Sequence, residues 1–188
     1  TWACALGEQT MVCPVHIGIA GWSYPDWEGI VYTDPKADHL EYVSGFVDCI
    51  EVNNTFYRPP GERMTKSWLE RTAGRAGFFF TAKLHQSFTH EGKIDAVVVK
   101  QFHEGFSPML EACKLKHLLA QFRYDFTDNP ASREHISKIV AHFRDAFRIV
   151  LELRHKSWEK PASLDFLRGL GVTVANLDYP TSSQSFNL

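Results

Sequence analysis

The stretch "DCIEVNNTFYRPP", residues 48–60, decides the fold. It begins as an apolar strand through Cys49, Ile50 and Val52, yet it carries Glu51 and runs into Asn53, Tyr57 and Arg58 before two prolines. A strand inside a plain hydrophobic core gains nothing from a carboxylate and amides, so its far end must open on something else. The same pattern recurs along the chain. Runs rich in β-branched or aromatic residues start at His16 ("HIGIAG"), Phe78 ("FFFTAK"), His117 ("HLLAQF"), Arg148 ("RIVLEL") and Val172 ("VTVANLD"). With the first, they predict six strands, each buried on both faces.

Helical spacing fills the gaps between them. Leu40, Val43 and Val47 form one apolar stripe, and Met64, Trp68 and Leu69 a second, with Gly74 as its stop. Phe102, Phe106, Leu110 and Cys113 form a third, which Pro108 is expected to kink or split. The clearest has Asn129 as N-cap and Pro130 at the first helical position, then Ile136, Ile139, Val140 and Phe143 on one face. A short helix is expected over 161–168. Strands alternating with helices imply crossover connections and a parallel sheet. A doubly wound sheet and a (β/α)8 barrel both satisfy that pattern. The first lacks its glycine-rich phosphate turn, because "GIAGWSY" continues into Trp22 and Tyr24; the second needs eight units, and only six are present.

The 188 residues are 44% hydrophobic and 22% charged, which suits one soluble domain with a sizeable core. A net charge of −2 argues against broad adhesion to nucleic acid or anionic membrane, leaving nucleic acid as a less favoured partner. Neither a membrane span nor a secretory signal is indicated, and a cytoplasmic location is expected. Cys4, Cys13, Cys49 and Cys113 are scattered, as for reduced thiols. Residues 1–12 are read as a poorly structured extension and 13–188 as the folded domain.

In parallel α/β folds the site lies beyond the carboxyl ends of the strands. Those ends carry Trp22 and Tyr24, Glu51 and Asn53, Lys83 with His90 in its loop, Gln121, Glu152 with Arg154 and His155, and finally Asn176 and Asp178. Alternation puts Glu51 with Asn53, and Glu152 with Arg154, on one face, while Val52, Leu151, Leu153 and Leu177 face the helices. Buried glutamates need partners, and Lys83 and Arg154 are at hand, so a charged network with perturbed pKa values is expected. A salt-bridge lattice that merely holds the strands in register stands beside the functional reading. His90 and His155 are candidate acid/base groups. Trp22, Trp27, Tyr57 and Trp158 make either a stacking rim or a lid on the barrel top. A metal on Glu51, Glu152, Asp178 and a histidine is disfavoured by the two nearby cations, and no cofactor is indicated.

At these residues the sequence resembles the DUF72, or YecE-like, family. The matching segments are "GIAGWSYPDWEGIVY", "IEVNNTFYRPP", "FFFTAKLHQSFTH", "LLAQF" and "LELRHKSW", in the family's order. The resemblance implies a TIM-type (β/α)8 barrel, of which about six βα units are present. It also places Gly21, Trp22, Tyr24, Trp27, Glu51, Asn53, Phe56, Tyr57, Lys83, Thr89, His90, Gln121, Glu152, Arg154, His155 and Trp158 on family motif positions, without supplying a reaction. Arg123 and Tyr124 stand where relatives carry prolines, and the later strand with an Arg-x-His-Gly type motif is missing, so the chain is expected to be a truncated form with two open sheet edges.

The combined expectation is an enzyme acting at the barrel mouth on an anionic sugar- or nucleotide-like substrate, by phosphoester hydrolysis or proton transfer. Glu51, Lys83, His90, Glu152, Arg154 and His155 are the catalytic candidates; Trp22, Tyr24, Asn53, Tyr57, Arg58, Gln121, Trp158 and Asp178 are the substrate-binding ones. A noncatalytic module binding a nucleotide, sugar or protein through the same mouth is the alternative.

Overall fold

A computed structural model describes residues 14–178. The region read as an extension, with Cys4 and Cys13, lies outside these residues. Six parallel strands pair in chain order: β1 (Gly18–Ala20), β2 (Cys49–Val52), β3 (Phe79–Lys83), β4 (Leu115–Gln121), β5 (Ile149–Glu152) and β6 (Thr173–Val174). Between them run α1 (His39–Val43), α2 (Glu62–Arg71), α3 (Gln86–Thr89), α4 (Ala96–Glu111), α5 (Pro130–Phe143) and α6 (Pro161–Leu170). A parallel sheet wound in strict sequence order, with a helical segment between each strand and the next, is the wall of a TIM-type barrel, here six strands of it.

The two faces of the sheet differ. Ile50, Val52, Phe80, Ala82, Leu118, Ala120, Leu151 and Leu153 are buried beneath the helices. Glu51, Thr81, Lys83 and Gln121 on the other face are only half-buried. Burial on both faces therefore does not hold throughout: among the described residues β1 and β6 are sheet edges, and Gly18, Ala20 and Thr173 are exposed.

Local signals explain most helix ends. Asn129 caps α5 by accepting from the Ser132 N–H at 3.0 Å, with Pro130 following and Ile136, Ile139, Val140 and Phe143 buried. Asp38 and Asp95 cap α1 and α4 in the same way. Pro108 does not split its helix, because α4 continues through it to Glu111. Packing explains its persistence: Phe102, Phe106 and Met109 are wholly buried on either side of it. At Gly105 an added Cβ would lie 2.0 Å from the Pro60 carbonyl oxygen, while the Gly105 carbonyl accepts the buried Thr65 hydroxyl at 2.6 Å. Only glycine allows α4 to come this close to α2 and the segment before it.

One irregularity interrupts the pairing of the sheet. Phe80 pairs with Leu115, but Thr81 pairs with His117, so Lys116 is an extra residue in β4. Beyond this bulge Lys83 pairs with Leu119, and Gln121 faces the same side as Lys83.

Candidate functional site

The β2–β5 ends deliver a continuous polar chain across four strands. Glu51 Oε1 lies 3.5 Å from Lys83 Nζ, and Lys83 lies 3.5 Å from Gln121 Oε1. The Gln121 amide donates to both Glu152 oxygens, at 2.8 and 2.9 Å. Arg154 closes the chain on Glu152 Oε1, with Nε at 2.7 Å and Nη2 at 2.6 Å. Register explains the last steps, since Gln121 and Glu152 are directly paired. Thr55 braces the first step: its buried hydroxyl reaches the Lys83 carbonyl at 2.7 Å and the Val52 carbonyl at 3.2 Å, tying the end of β2 to that of β3.

The two glutamates differ sharply. Glu152, with its side chain 7% exposed, is saturated by Arg154 and Gln121. Glu51 has one long ion pair, and burial pushes its carboxyl above the ordinary range; Lys83 pulls it back and the Glu152 charge adds to the rise. A carboxyl so placed holds its proton to higher pH than an ordinary glutamate does.

His90 stands edge-on to Phe56, with ring centroids 4.8 Å apart, and its Nδ1 is 3.0 Å from the Thr89 hydroxyl. Burial, then the Arg123 and Arg154 charges, push its imidazole below the usual value, with Asp125 opposing and Lys83 adding to the fall. These surroundings favour its neutral form. His155 is placed differently, as a cap. Its Nδ1 accepts the Ser157 N–H at 3.1 Å and lies 3.0 Å from the Ser157 hydroxyl, whose oxygen already takes the Asp128 N–H at 2.7 Å. That leaves the ring proton on Nε2. His85 repeats the arrangement with Ser87 after β3, and its Nε2 lies 3.3 Å from the Tyr57 carbonyl oxygen. The paired patterns "HQSF" and "HKSW" carry this signal in the sequence, where His85, Ser157 and Thr55 were not singled out.

The expected aromatic rim does not assemble as read. Trp158 is wholly buried, stacks on Phe126 and donates its indole N–H to the Phe126 carbonyl at 2.8 Å, so it is core and offers no face to a ligand. Trp22 packs edge-to-face on Trp68, which leans on Phe80 in the outer layer. Tyr24 folds back so that its hydroxyl donates to the Ala20 carbonyl and occupies the space a Gly21 side chain would need; Gly21 also has φ of +74°. Tyr57 is exposed beside Phe56. Arg58 lines an outer cleft of about 630 Å³ with Gln101, Glu104 and Ser107, on the helical side of the sheet. Asp178 is exposed beyond β6. Asn53 stands just past the end of β2, and its Oδ1 is buried with no hydrogen-bond donor among the described residues. Where relatives carry prolines, Arg123 pairs with Asp125 at 3.0 and 3.1 Å and Tyr124 is exposed. No group of three or more His, Cys, Asp or Glu side chains among the described residues is placed to hold a metal ion. None of their helices is long and apolar enough to cross a membrane.

Residues 16–186 match the family described as "Protein of unknown function DUF72". The chain belongs to the DUF72 family. A solved DUF72 family protein from Thermotoga maritima superposes with a TM-score of 0.75 at 28% identity, over 91% of this chain and 67% of that one. One from Enterococcus faecalis gives 0.76 at 19% identity, over 92% and 64%. The chain thus spans about two thirds of the length of these solved DUF72 structures. No curated protein matches it. The solved relatives share the barrel architecture read from the sheet order.

Proposed function

We propose that the mouth formed by β2–β5 is the active site of an enzyme acting on an anionic sugar- or nucleotide-like substrate. The observation that carries this reading is the unbroken chain Glu51, Lys83, Gln121, Glu152, Arg154, in which one carboxyl is locked and the other is partly buried on a single long ion pair. Lys83 and Arg154 hold the anionic group or stabilise developing negative charge. Glu51 moves the proton, and His90, uncharged, is a second proton acceptor at the same opening. Glu152 and Gln121 hold Arg154 and Lys83 in place rather than touch the substrate. Asn53 and exposed Tyr57 supply orientation. Phosphoester hydrolysis and proton transfer both fit this set. The ligand is a small cytoplasmic molecule rather than nucleic acid or membrane.

A noncatalytic binding module is the second reading, supported by how completely Glu152 is satisfied within the protein. A panel of phosphorylated sugars and nucleotides, assayed for turnover and for thermal stabilisation, separates the two. Turnover that is lost in Glu51→Gln supports the enzyme. Stabilisation without turnover supports the binder, and neither effect with any anionic compound removes both.

A further inference from the structure

The polar chain holds its two cations very differently. Arg154 meets Glu152 at 2.6 and 2.7 Å, ordinary lengths for a charge-assisted pair. Lys83 has three N–H donors, and its two side-chain contacts, Glu51 and Gln121, are each 3.5 Å away. Its side chain is 19% exposed and its carboxylate partner 24%, so solvent reaches both. An ammonium held this loosely has donor capacity left for another oxygen, whereas the guanidinium beside it is already engaged.

Charge counting then becomes decisive. With Glu51 and Glu152 ionised, their two negative charges cancel Lys83 and Arg154. With Glu51 protonated, the same four groups carry one positive charge. Among the described residues, the groups around Glu51 leave His90, in the loop above, as the alternative for this switch: after β1 comes the Tyr24 phenol turned back on Ala20, β2 carries the partly buried Cys49 thiol, β3 Lys83, β4 the neutral Gln121 and β5 the locked Glu152 with Arg154 beyond it.

We propose that Glu51 and an incoming oxyanion compete for the Lys83 ammonium, so that the mouth binds an anion together with a proton, which goes to Glu51. The inference rests on reading the mouth as an anion site, and it names the ligand class as one presenting a carboxylate, sulfate or phosphate oxygen to Lys83. An anion on Lys83 cancels the attraction that keeps Glu51 ionised, and protonation of Glu51 frees Lys83 for the anion. Each event strengthens the other by the same factor. The direction agrees with the upward displacement of the Glu51 carboxyl by burial.

Sulfate is the probe, because its charge is constant across the range, titrated into the 188-residue chain at constant ionic strength by calorimetry. Binding should weaken about fivefold or more between about pH 5 and about pH 8, with proton uptake visible in buffers of different ionisation enthalpy. Glu51→Gln should bind at least as tightly as wild type at the upper pH and lose the pH dependence. Lys83→Met, with its fold checked by circular dichroism, should lose binding at both. Flat wild-type affinity, a slope that persists in Glu51→Gln, or weaker binding by Glu51→Gln at the upper pH each overturns the coupling; a persistent slope moves it to His90. Turnover that depends on Glu51 with pH-independent sulfate binding would sink the coupling alone, and coupled binding without turnover would sink the enzyme alone.

Discussion

At the scale of single residues, two glutamates on neighbouring parts of one sheet face end with opposite characters. The difference is the number and length of their contacts, which the residue type does not encode. Glu51 is raised in the folded state by burial, so the unfolded chain ionises it first and stability falls as pH rises through that interval. Glu51→Gln removes this penalty. Its stability relative to wild type should therefore improve from about pH 4 to about pH 7 in urea unfolding, and a gap that is constant or shrinking would contradict the assignment. Gln121→Leu should act the other way, costing about 2–3 kcal/mol, because Glu152 loses two amide hydrogen bonds at a position 7% exposed. The tryptophans show the limit of reading residue type alone. Trp22 and Trp158 both follow strand ends, yet one packs on Trp68 and the other is sealed against Phe126, because turn geometry after the strand decides the direction of the ring. By contrast, the positions of Glu51, Lys83, Gln121, Glu152 and Arg154 were legible, since strand alternation alone assigns their face.

At the scale of elements, caps and apolar stripes located α5 closely, while Pro108 misled. The ring removes one hydrogen bond from α4, but burial of Phe102, Phe106 and Met109 outweighs that loss, and long-range packing is absent from a local pattern. The short α3 was also not foreseen, because its N-terminus is capped by a histidine rather than by a common capping residue. The approach of α4 to Pro60 makes a sharp test. Gly105→Ala places a methyl group 2.0 Å from a backbone oxygen that has no rotamer to change, so a loss of about 2 kcal/mol or more is expected in thermal or urea unfolding. An unchanged midpoint would mean that the two segments are not in contact.

At the scale of the whole molecule, the sheet has a protected centre and two open margins. β3 and β4 are paired on both sides and covered by α4 and α5, whereas β1 and β6 each have one neighbour among the described residues. Amide hydrogen exchange should therefore be slowest in 79–83 and 115–121 and faster at Ile19 and Val174; equal protection would contradict the sheet order. The parallel topology was readable from strand–helix alternation, whereas the choice of a barrel over a doubly wound sheet came from family resemblance, because curvature is not written in hydrophobic period. One structural detail of the sheet lies upstream of the site. The unmatched Lys116 acts like a dislocation in a lattice: Leu115 stands opposite Phe80 and His117 opposite Thr81, so the alternation on either side of it is in phase, with Leu118 and Ala120 among the helices and Gln121 toward the opening. The polar mouth is in that sense insulated from the insertion, and deletion of this single surface lysine should leave Gln121 between Lys83 and Glu152, disturbing the network less than mutating either charge.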